Sequence, residues 1–244
     1  MAEALARSTH GKVRLEDAGF DWKILGPDPP SPQEFEYVAW QSDQDAYAAS
    51  GQKCSAQSIL FAHENWSNRG IFERLAEFAA NRKLSDLTVG PILSHTTAQI
   101  LRHTDRLLSI PGASLAFGGK ELEDHTIPPC YGAVEPTAVF VPLKELLKPE
   151  HFQTCCTEIF GPFQVFTEFH DDTEEQVLEA CERMSHHLTA SVVSNNPHFQ
   201  ARILGSTVNG TTYTGMRART TAAPQNHWFG PAVSGAVVFV DSWY

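Results

Sequence analysis

Short apolar runs alternate along this chain with longer amphipathic segments, and this alternation constrains the fold more than any other feature. The apolar runs are rich in the β-branched and aromatic residues that favour strands; they cover 58–63, 114–117, 137–141, 163–169 and 188–194. The amphipathic segments repeat apolar residues at helical spacing; they cover 33–50, 69–82, 95–109 and 172–184. Strands that alternate with helices of this length predict an α/β domain with a mainly parallel sheet flanked by helices.

Prolines, glycines and small polar residues predict where these elements end. Gly51 predicts the end of the first long helix, and Ser67 or Asn68 is expected to cap the next one. The proline-rich segment 26–32 predicts a rigid loop, because each proline fixes its own backbone. Further expectations are a helix over 2–8, a short strand over 12–15, a helix that begins at Asn196-Pro197 and a loop over 210–231.

Composition argues against several functions. The net charge is -11 and lysine and arginine form no cluster, which argues against nucleic acid as a partner. No apolar run approaches the roughly 20 residues that a membrane span needs, so no membrane association is expected. The cysteines are odd in number and include no CxxC pair, which indicates a reducing compartment and no zinc site.

Cys54 is the first candidate for chemistry. It follows the turn Gly51-Gln52-Lys53 and precedes the predicted strand that begins at Ser58. Backbone N–H donors near such a turn can lower the pKa of a thiol, and a thiolate attacks the electrophilic carbon of an aldehyde. A small buried hydrophobic residue is the alternative interpretation of a lone cysteine.

Two carboxylates and one aromatic ring are further candidates. Glu16 ends the predicted strand over 12–15 and precedes a turn at Gly19, so it can act as a general base for water. Glu158 can accept hydrogen bonds from both hydroxyls of a ribose, and Phe160 can press a nicotinamide ring into place. Taken alone, the carboxylates are more simply interpreted as surface charges and the ring as a core residue.

Together these motifs resemble the aldehyde dehydrogenase superfamily. The family pattern is a Glu-x-x-Gly motif, then a Gly-Gln-x-Cys nucleophile, then Glu-Ile-Phe-Gly-Pro. The same order occurs here at 16–19, 51–54 and 158–162. The version Gly-Gln-Lys-Cys-Ser-Ala is similar to that of 1-pyrroline-5-carboxylate dehydrogenases. The sequences at 14–23, 209–213 and 223–231 resemble the plant-type mitochondrial members of that branch.

The resemblance implies that an aldehyde is oxidised to a carboxylate with NAD. L-Glutamate γ-semialdehyde is the implied substrate, and proline catabolism the implied pathway. Cys54 would be the nucleophile, and its backbone N–H would supply half of an oxyanion hole. Glu16 would activate the hydrolytic water. Glu158 would hold the nicotinamide ribose, and Phe160 would position the ring.

The same resemblance implies how the substrate is held. Ser55 would touch the carboxylate end of the small-molecule aldehyde. The loop over 210–231 would anchor the tail of the substrate. Arg217 and Arg219 are charge-compatible candidates in this loop, with surface arginines as the alternative interpretation.

Members of the family are about twice as long, so the comparison implies a division into three parts. Residues 1–22 would be a remnant of the dinucleotide-binding domain, 23–231 the catalytic domain, and 232–244 a tail that departs from the family. Most of the dinucleotide-binding domain is expected to be missing, together with the asparagine that completes the family's oxyanion hole.

Location and assembly also follow from the resemblance. It implies mitochondria, although 2–8 matches an interior segment of the family and no transit peptide is expected; otherwise the chain would be cytoplasmic. Full-length members are homo-oligomers.

Two alternatives stay open at this point. One is a truncated, non-catalytic homologue that serves as a binding or assembly module, and the other is residual ester hydrolysis by Cys54 and Glu16.

Overall fold

The computed structural model describes residues 2–10, 12, 19–185 and 187–221. In chain order its strands are β1 (Asp21–Leu25), β2 (Gln57–His63), β3 (Ser114–Phe117), β4 (Thr137–Phe140), β5 (Phe163–Phe169), β6 (Thr189–Val193) and β7 (Thr211–Thr214). They form one 7-stranded sheet in the order β3-β4-β5-β2-β1-β6-β7. Neighbouring strands are parallel except for β3, which pairs antiparallel with β4 at one edge. The predicted α/β fold with a mainly parallel sheet is therefore confirmed.

Helices flank the sheet on both faces. In chain order they are α1 (Ala2–Ser8), α2 (Pro32–Tyr47), α3 (Glu64–Ser67), α4 (Ile71–Ala80), α5 (Thr97–Leu108), α6 (Leu143–Leu146), α7 (Pro149–Cys155), α8 (Glu174–Arg183) and α9 (Pro197–Ser206). Side chains alternate along β2, so Ile59 and Phe61 join one apolar cluster while Leu60 and Ala62 join the other. The first cluster includes buried residues of α5 to α9, and the second includes buried residues of α2, α3 and α4.

Local sequence explains where several helices begin. Ser31 caps α2 reciprocally with Glu34, because each accepts a hydrogen bond from the other's backbone N–H. Thr96 does the same for α5 with Gln99. Asn196 caps α9, and proline follows it at the first helical position, as the sequence predicts.

Three expectations about secondary structure need correction. The loop predicted over 210–231 contains β7, whose Thr-Thr-Tyr-Thr sequence lacks an apolar run because it forms the sheet edge. The sequence pattern does not predict β1, because Lys23 interrupts its apolar run, yet this lysine is fully buried. Gly70, with a φ of 81°, stands at the N-cap of α4 in place of Ser67 or Asn68.

Two sequence expectations concern residues near the amino terminus. The strand predicted over 12–15 falls largely on residues 13–15, which lie outside the described residues. The expected division between 22 and 23 falls within β1, which begins at Asp21 and pairs with β2 and β6 in the centre of the sheet. Of the helices in the described part of the chain, none is long and apolar enough to cross a membrane.

Candidate active site

The sequence motifs meet at the edge of the sheet where the parallel strands begin. Gly19 and Phe20 lead into β1, residues 52–56 lead into β2, and residues 157–162 lead into β5. Because β5, β2 and β1 are parallel neighbours, these three entry segments lie side by side. The fold thereby places the cysteine motif between the other two.

The turn that carries Cys54 begins with an unusual backbone. After α2 ends, Ala49, Ser50 and Gly51 have φ values of 55°, 56° and 63°, all in the left-handed region. This conformation costs a non-glycine residue about 1–2 kcal/mol, so the surrounding structure has to hold it. The chain then turns again, closed by a 3.0 Å hydrogen bond from Ala56 N to Lys53 O, and exposes the side chain of Cys54.

The loop over 90–93 holds this turn from outside. Ser50 Oγ accepts a hydrogen bond of 2.8 Å from Gly90 N. Gln52 bridges to the same loop twice, because its Nε2 donates to Pro91 O at 2.9 Å and its Oε1 accepts from Leu93 N at 2.9 Å. These contacts explain why a glutamine next to Gly51 is useful: its amide satisfies two backbone groups at once.

Gly51 also packs directly against the motif at 158–162. A Cβ atom on Gly51 would lie 2.1 Å from the carbonyl oxygen of Gly161. No side chain fits at this position, and the positive φ also favours glycine. The backbone contact therefore fixes the separation between the cysteine turn and the loop that holds Glu158.

Gly19 connects all three motifs. A Cβ atom here would lie 2.9 Å from the carbonyl oxygen of Cys54, so only glycine allows this close approach. The N–H of Gly19 donates a hydrogen bond of 3.3 Å to Glu158 Oε2. The end of the Glu-x-x-Gly motif thus approaches both the segment of Cys54 and the carboxylate of Glu158. Glu16 itself lies outside the described residues, so its role stays a prediction.

Phe160 is presented to solvent, contrary to an ordinary core position. Its side chain is 37% exposed and its backbone has a φ of 49°. Ser94 Oγ holds this strained segment by donating to Ile159 O at 3.1 Å and to Phe160 O at 3.0 Å. Glu158 is half-buried on the same loop. One loop therefore carries an exposed ring and a half-buried carboxylate two residues apart.

The residues on either side of Cys54 differ from it in exposure. Ser55 is buried at 9% exposure, directly after the exposed cysteine. Lys53 is partly buried and donates a hydrogen bond of 3.1 Å to Gln44 O near the end of α2. Burial lowers the pKa of Lys53 to about 8, although the negative charge of Asp45 opposes this effect. Sequence reasoning assigned no role to Lys53, which it named only as a residue of the cysteine motif.

The predicted tail-anchoring arginines have different surroundings. Arg219 Nε donates to Asp45 Oδ1 at 2.9 Å, so its charge serves a buried ion pair with α2. Arg217 is exposed, and its backbone carbonyl accepts a hydrogen bond of 3.0 Å from Gln41 Nε2. Residues 222–231 of the predicted anchoring loop lie outside the described residues.

The remaining cysteines lack the surroundings of Cys54. Burial raises the pKa of Cys155 to about 12 and raises the pKa values of Cys156 and Cys181 above their ordinary values. Such thiols are poor nucleophiles at neutral pH. Cys130 is exposed, like Cys54. Among the described residues, no group of three or more histidine, cysteine or carboxylate side chains could hold a metal ion.

The fold and this edge define an α/β domain with an exposed thiol and a half-buried carboxylate on neighbouring segments. The model of the aldehyde dehydrogenase family matches residues 33–237. The chain therefore belongs to the aldehyde dehydrogenase family, as the three motifs predicted.

Two plant proteins are similar to most of the chain. It is 62% identical to a probable aldehyde dehydrogenase of Linum usitatissimum, over 95% of this chain and 42% of the relative. It is 60% identical to delta-1-pyrroline-5-carboxylate dehydrogenase 12A1, mitochondrial, of Arabidopsis thaliana, over 95% of this chain and 41% of the relative. The chain therefore spans less than half the length of these curated relatives.

Solved structures share the fold. A crystal structure of the bifunctional proline utilization A protein superposes with a TM-score of 0.71 at 25% identity, covering 91% of this chain and 21% of that one. A 1-pyrroline-5-carboxylate dehydrogenase from Thermus with bound NAD superposes with a TM-score of 0.68 at 24% identity, covering 86% of this chain and 37% of that one.

Proposed function

We propose that this chain carries the catalytic part of an NAD-dependent dehydrogenase that oxidises L-glutamate γ-semialdehyde to glutamate in proline catabolism. The observation that carries the proposal is the contact of Gly19 with both the Cys54 carbonyl and the Glu158 carboxylate. It joins the segments of three motifs at one edge of the sheet. The substrate is proposed from the similarity to the Arabidopsis delta-1-pyrroline-5-carboxylate dehydrogenase.

Cys54 is the proposed nucleophile. Its thiolate adds to the aldehyde carbon, which forms a carbon–sulfur bond and leaves the electron pair of the carbonyl on oxygen. The backbone N–H of Cys54 is proposed to donate a hydrogen bond to this oxygen. After hydride leaves the carbon, the product on Cys54 is a thioester. Water then adds to the thioester, and cleavage of the carbon–sulfur bond returns the thiol and the carboxylate.

NAD, when bound, accepts the hydride. Glu158 is proposed to hold the two hydroxyls of its nicotinamide ribose, and the exposed ring of Phe160 is proposed to orient the nicotinamide. These two roles are supported because both residues lie on one loop. The contact between Gly51 and the Gly161 backbone holds that loop at a fixed separation from the turn of Cys54.

Two further roles stay proposals. Glu16 is proposed to take a proton from the hydrolytic water, because its motif ends at Gly19 beside Cys54. Ser55 is proposed to contact the carboxylate end of the substrate, since it adjoins the nucleophile. By similarity to the Arabidopsis mitochondrial protein, we also propose a mitochondrial location.

The test measures NAD binding by the purified chain and then NADH formation with L-glutamate γ-semialdehyde. We expect saturable NADH formation that is lost in Cys54→Ala, together with weaker NAD binding in Glu158→Gln. Cys130→Ala is the matched control, because it removes another exposed thiol. Absence of both NAD binding and turnover would contradict the proposal for this chain and would favour a non-catalytic module. Ester hydrolysis that depends on Cys54 without NAD would limit its activity to acyl transfer.

A further inference from the structure

Asp45 lies in the last turn of α2 and is completely buried. Its Oδ2 accepts hydrogen bonds from Lys23 Nζ at 2.8 Å and from Thr220 N at 3.1 Å. Its Oδ1 accepts from Arg219 Nε at 2.9 Å and from Thr221 Oγ1 at 2.7 Å. One carboxylate therefore joins three parts of the fold: strand β1, helix α2 and the segment 215–221 that follows β7.

The charges in this contact compensate one another. Burial by itself would raise the pKa of Asp45, but Lys23 and Arg219 together hold it below its ordinary value, so the carboxylate stays ionised. Burial lowers the pKa of Lys23, and Asp45 opposes this effect. A buried carboxylate with four donors has little freedom to move, so the segment 215–221 is held in one position on α2.

The same end of α2 holds the turn of Cys54. Lys53 donates to the carbonyl of Gln44, the residue before Asp45, and experiences the negative charge of Asp45. The left-handed residues Ala49 and Ser50 follow within five positions. The nucleophile turn and the segment 215–221 therefore share one anchor.

We propose that Asp45 is a positioning residue that sets the distance between Cys54 and the segment 215–221. It does not touch the reacting atoms. It acts by fixing the end of α2, where Lys53 contacts the Gln44 carbonyl, against Arg219, Thr220 and Thr221. One consequence rests on the proposed function: if this segment orders the loop that anchors the substrate tail, loss of Asp45 raises KM for the aldehyde more than it lowers kcat.

The distance between two spin labels tests the proposal without requiring activity. One label is attached to Cys54 and the other to an Arg217→Cys variant, in a background with Cys130→Ser and Cys156→Ser, because both of these native cysteines are at least partly exposed. Both labelled side chains are exposed, whereas Cys155 and Cys181 are buried. We expect a narrow distance distribution in the parent and a distribution at least twice as wide in Asp45→Asn.

Two further variants separate positioning from loss of stability. Asp43→Asn is the matched control, because Asp43 is also a buried carboxylate of α2 but pairs with Arg82. Its distribution is expected to keep the parent width. Thr221→Val removes only one donor to Asp45 and is expected to broaden the distribution by a smaller factor in a folded protein. An unchanged width in both Asp45→Asn and Thr221→Val, or equal broadening in Asp43→Asn, overturns the proposal.

Kinetics of the unlabelled Asp45→Asn variant then test the consequence. We expect at least a tenfold rise in KM for the aldehyde with kcat within threefold of the parent. Broadened distances with no aldehyde oxidation even in the parent would support the positioning role and contradict the proposed function. If Asp45→Asn keeps the distance distribution of the parent and oxidises the aldehyde as the parent does, the positioning role is contradicted and the proposed function is supported.

Discussion

Replacing Gly51 by alanine tests how the turn that carries Cys54 is held. The added Cβ would sit 2.1 Å from the Gly161 carbonyl oxygen, whereas a carbon–oxygen contact needs roughly 3.3 Å. The turn and the loop at 158–162 would have to separate by about 1 Å. Alanine also loses about 1–2 kcal/mol at the left-handed φ of this position, and overpacking typically costs about 1–3 kcal/mol. We therefore expect Gly51→Ala to lower the free energy of unfolding by about 2–5 kcal/mol.

Urea unfolding measures this change, and Gly205→Ala is the matched control. Gly205 lies in α9, where an added Cβ would meet no atom within 4 Å and φ is not positive, so alanine there is expected to stabilise by about 0.5–1 kcal/mol. Displacing catalytic groups by about 1 Å can lower activity about a hundredfold, so aldehyde oxidation by Gly51→Ala should fall further than its stability loss explains. Equal unfolding free energies in the two variants would refute the backbone contact as the support of the turn.

Two pH-dependence predictions follow from buried groups. Burial, with the charges of Arg106 and His95, lowers the pKa of His103 to about 4. The unfolded chain then binds a proton more tightly than the folded one, so the free energy of unfolding is highest above about pH 6.5 and falls by about 2 kcal/mol towards pH 5. Urea unfolding of His103→Gln should lack this fall. The same fall in the variant and the parent would contradict the prediction. Lys53, with its pKa lowered to about 8 by burial, makes the folded state lose its proton first. Stability should therefore rise between about pH 8 and pH 10, and Lys53→Met should show a smaller rise over that range in the same assay; an equal rise would refute the burial of this ammonium group.

Sequence patterns predicted the fold well where burial and periodicity coincide. The apolar runs that became β2, β4, β5 and β6 are interior strands with few charges, so their composition reports their burial directly. The sequence pattern did not predict strand β1 because Lys23 lies in its centre. That buried lysine is stabilised by the opposite charge of Asp45 and by a hydrogen bond to Ser42 Oγ, both on helix α2. A local pattern carries no information about such a distant partner.

The candidate site could be proposed from the sequence as a set of motifs, but its geometry could not be predicted. The order of the motifs made Cys54, Glu158 and Phe160 candidates, while the packing that joins their segments depends on glycines. Gly51 and Gly19 matter because a backbone from another motif approaches the position where a Cβ would be. Only the folded chain shows which backbone that is. Arg219 illustrates the same limit: its charge suited a substrate carboxylate, yet it pairs with Asp45.

Cys54 is proposed to be a nucleophile because of its surroundings and not because of its exposure. Exposed Cys130 allows this claim to be tested within one molecule. The chain is treated with iodoacetamide at neutral pH, and peptide mass spectrometry follows the irreversible alkylation of each cysteine over time. We predict that Cys54 is alkylated at least ten times faster than Cys130 and that Gly51→Ala reduces this ratio. Equal rates at the two cysteines in the parent protein would contradict it.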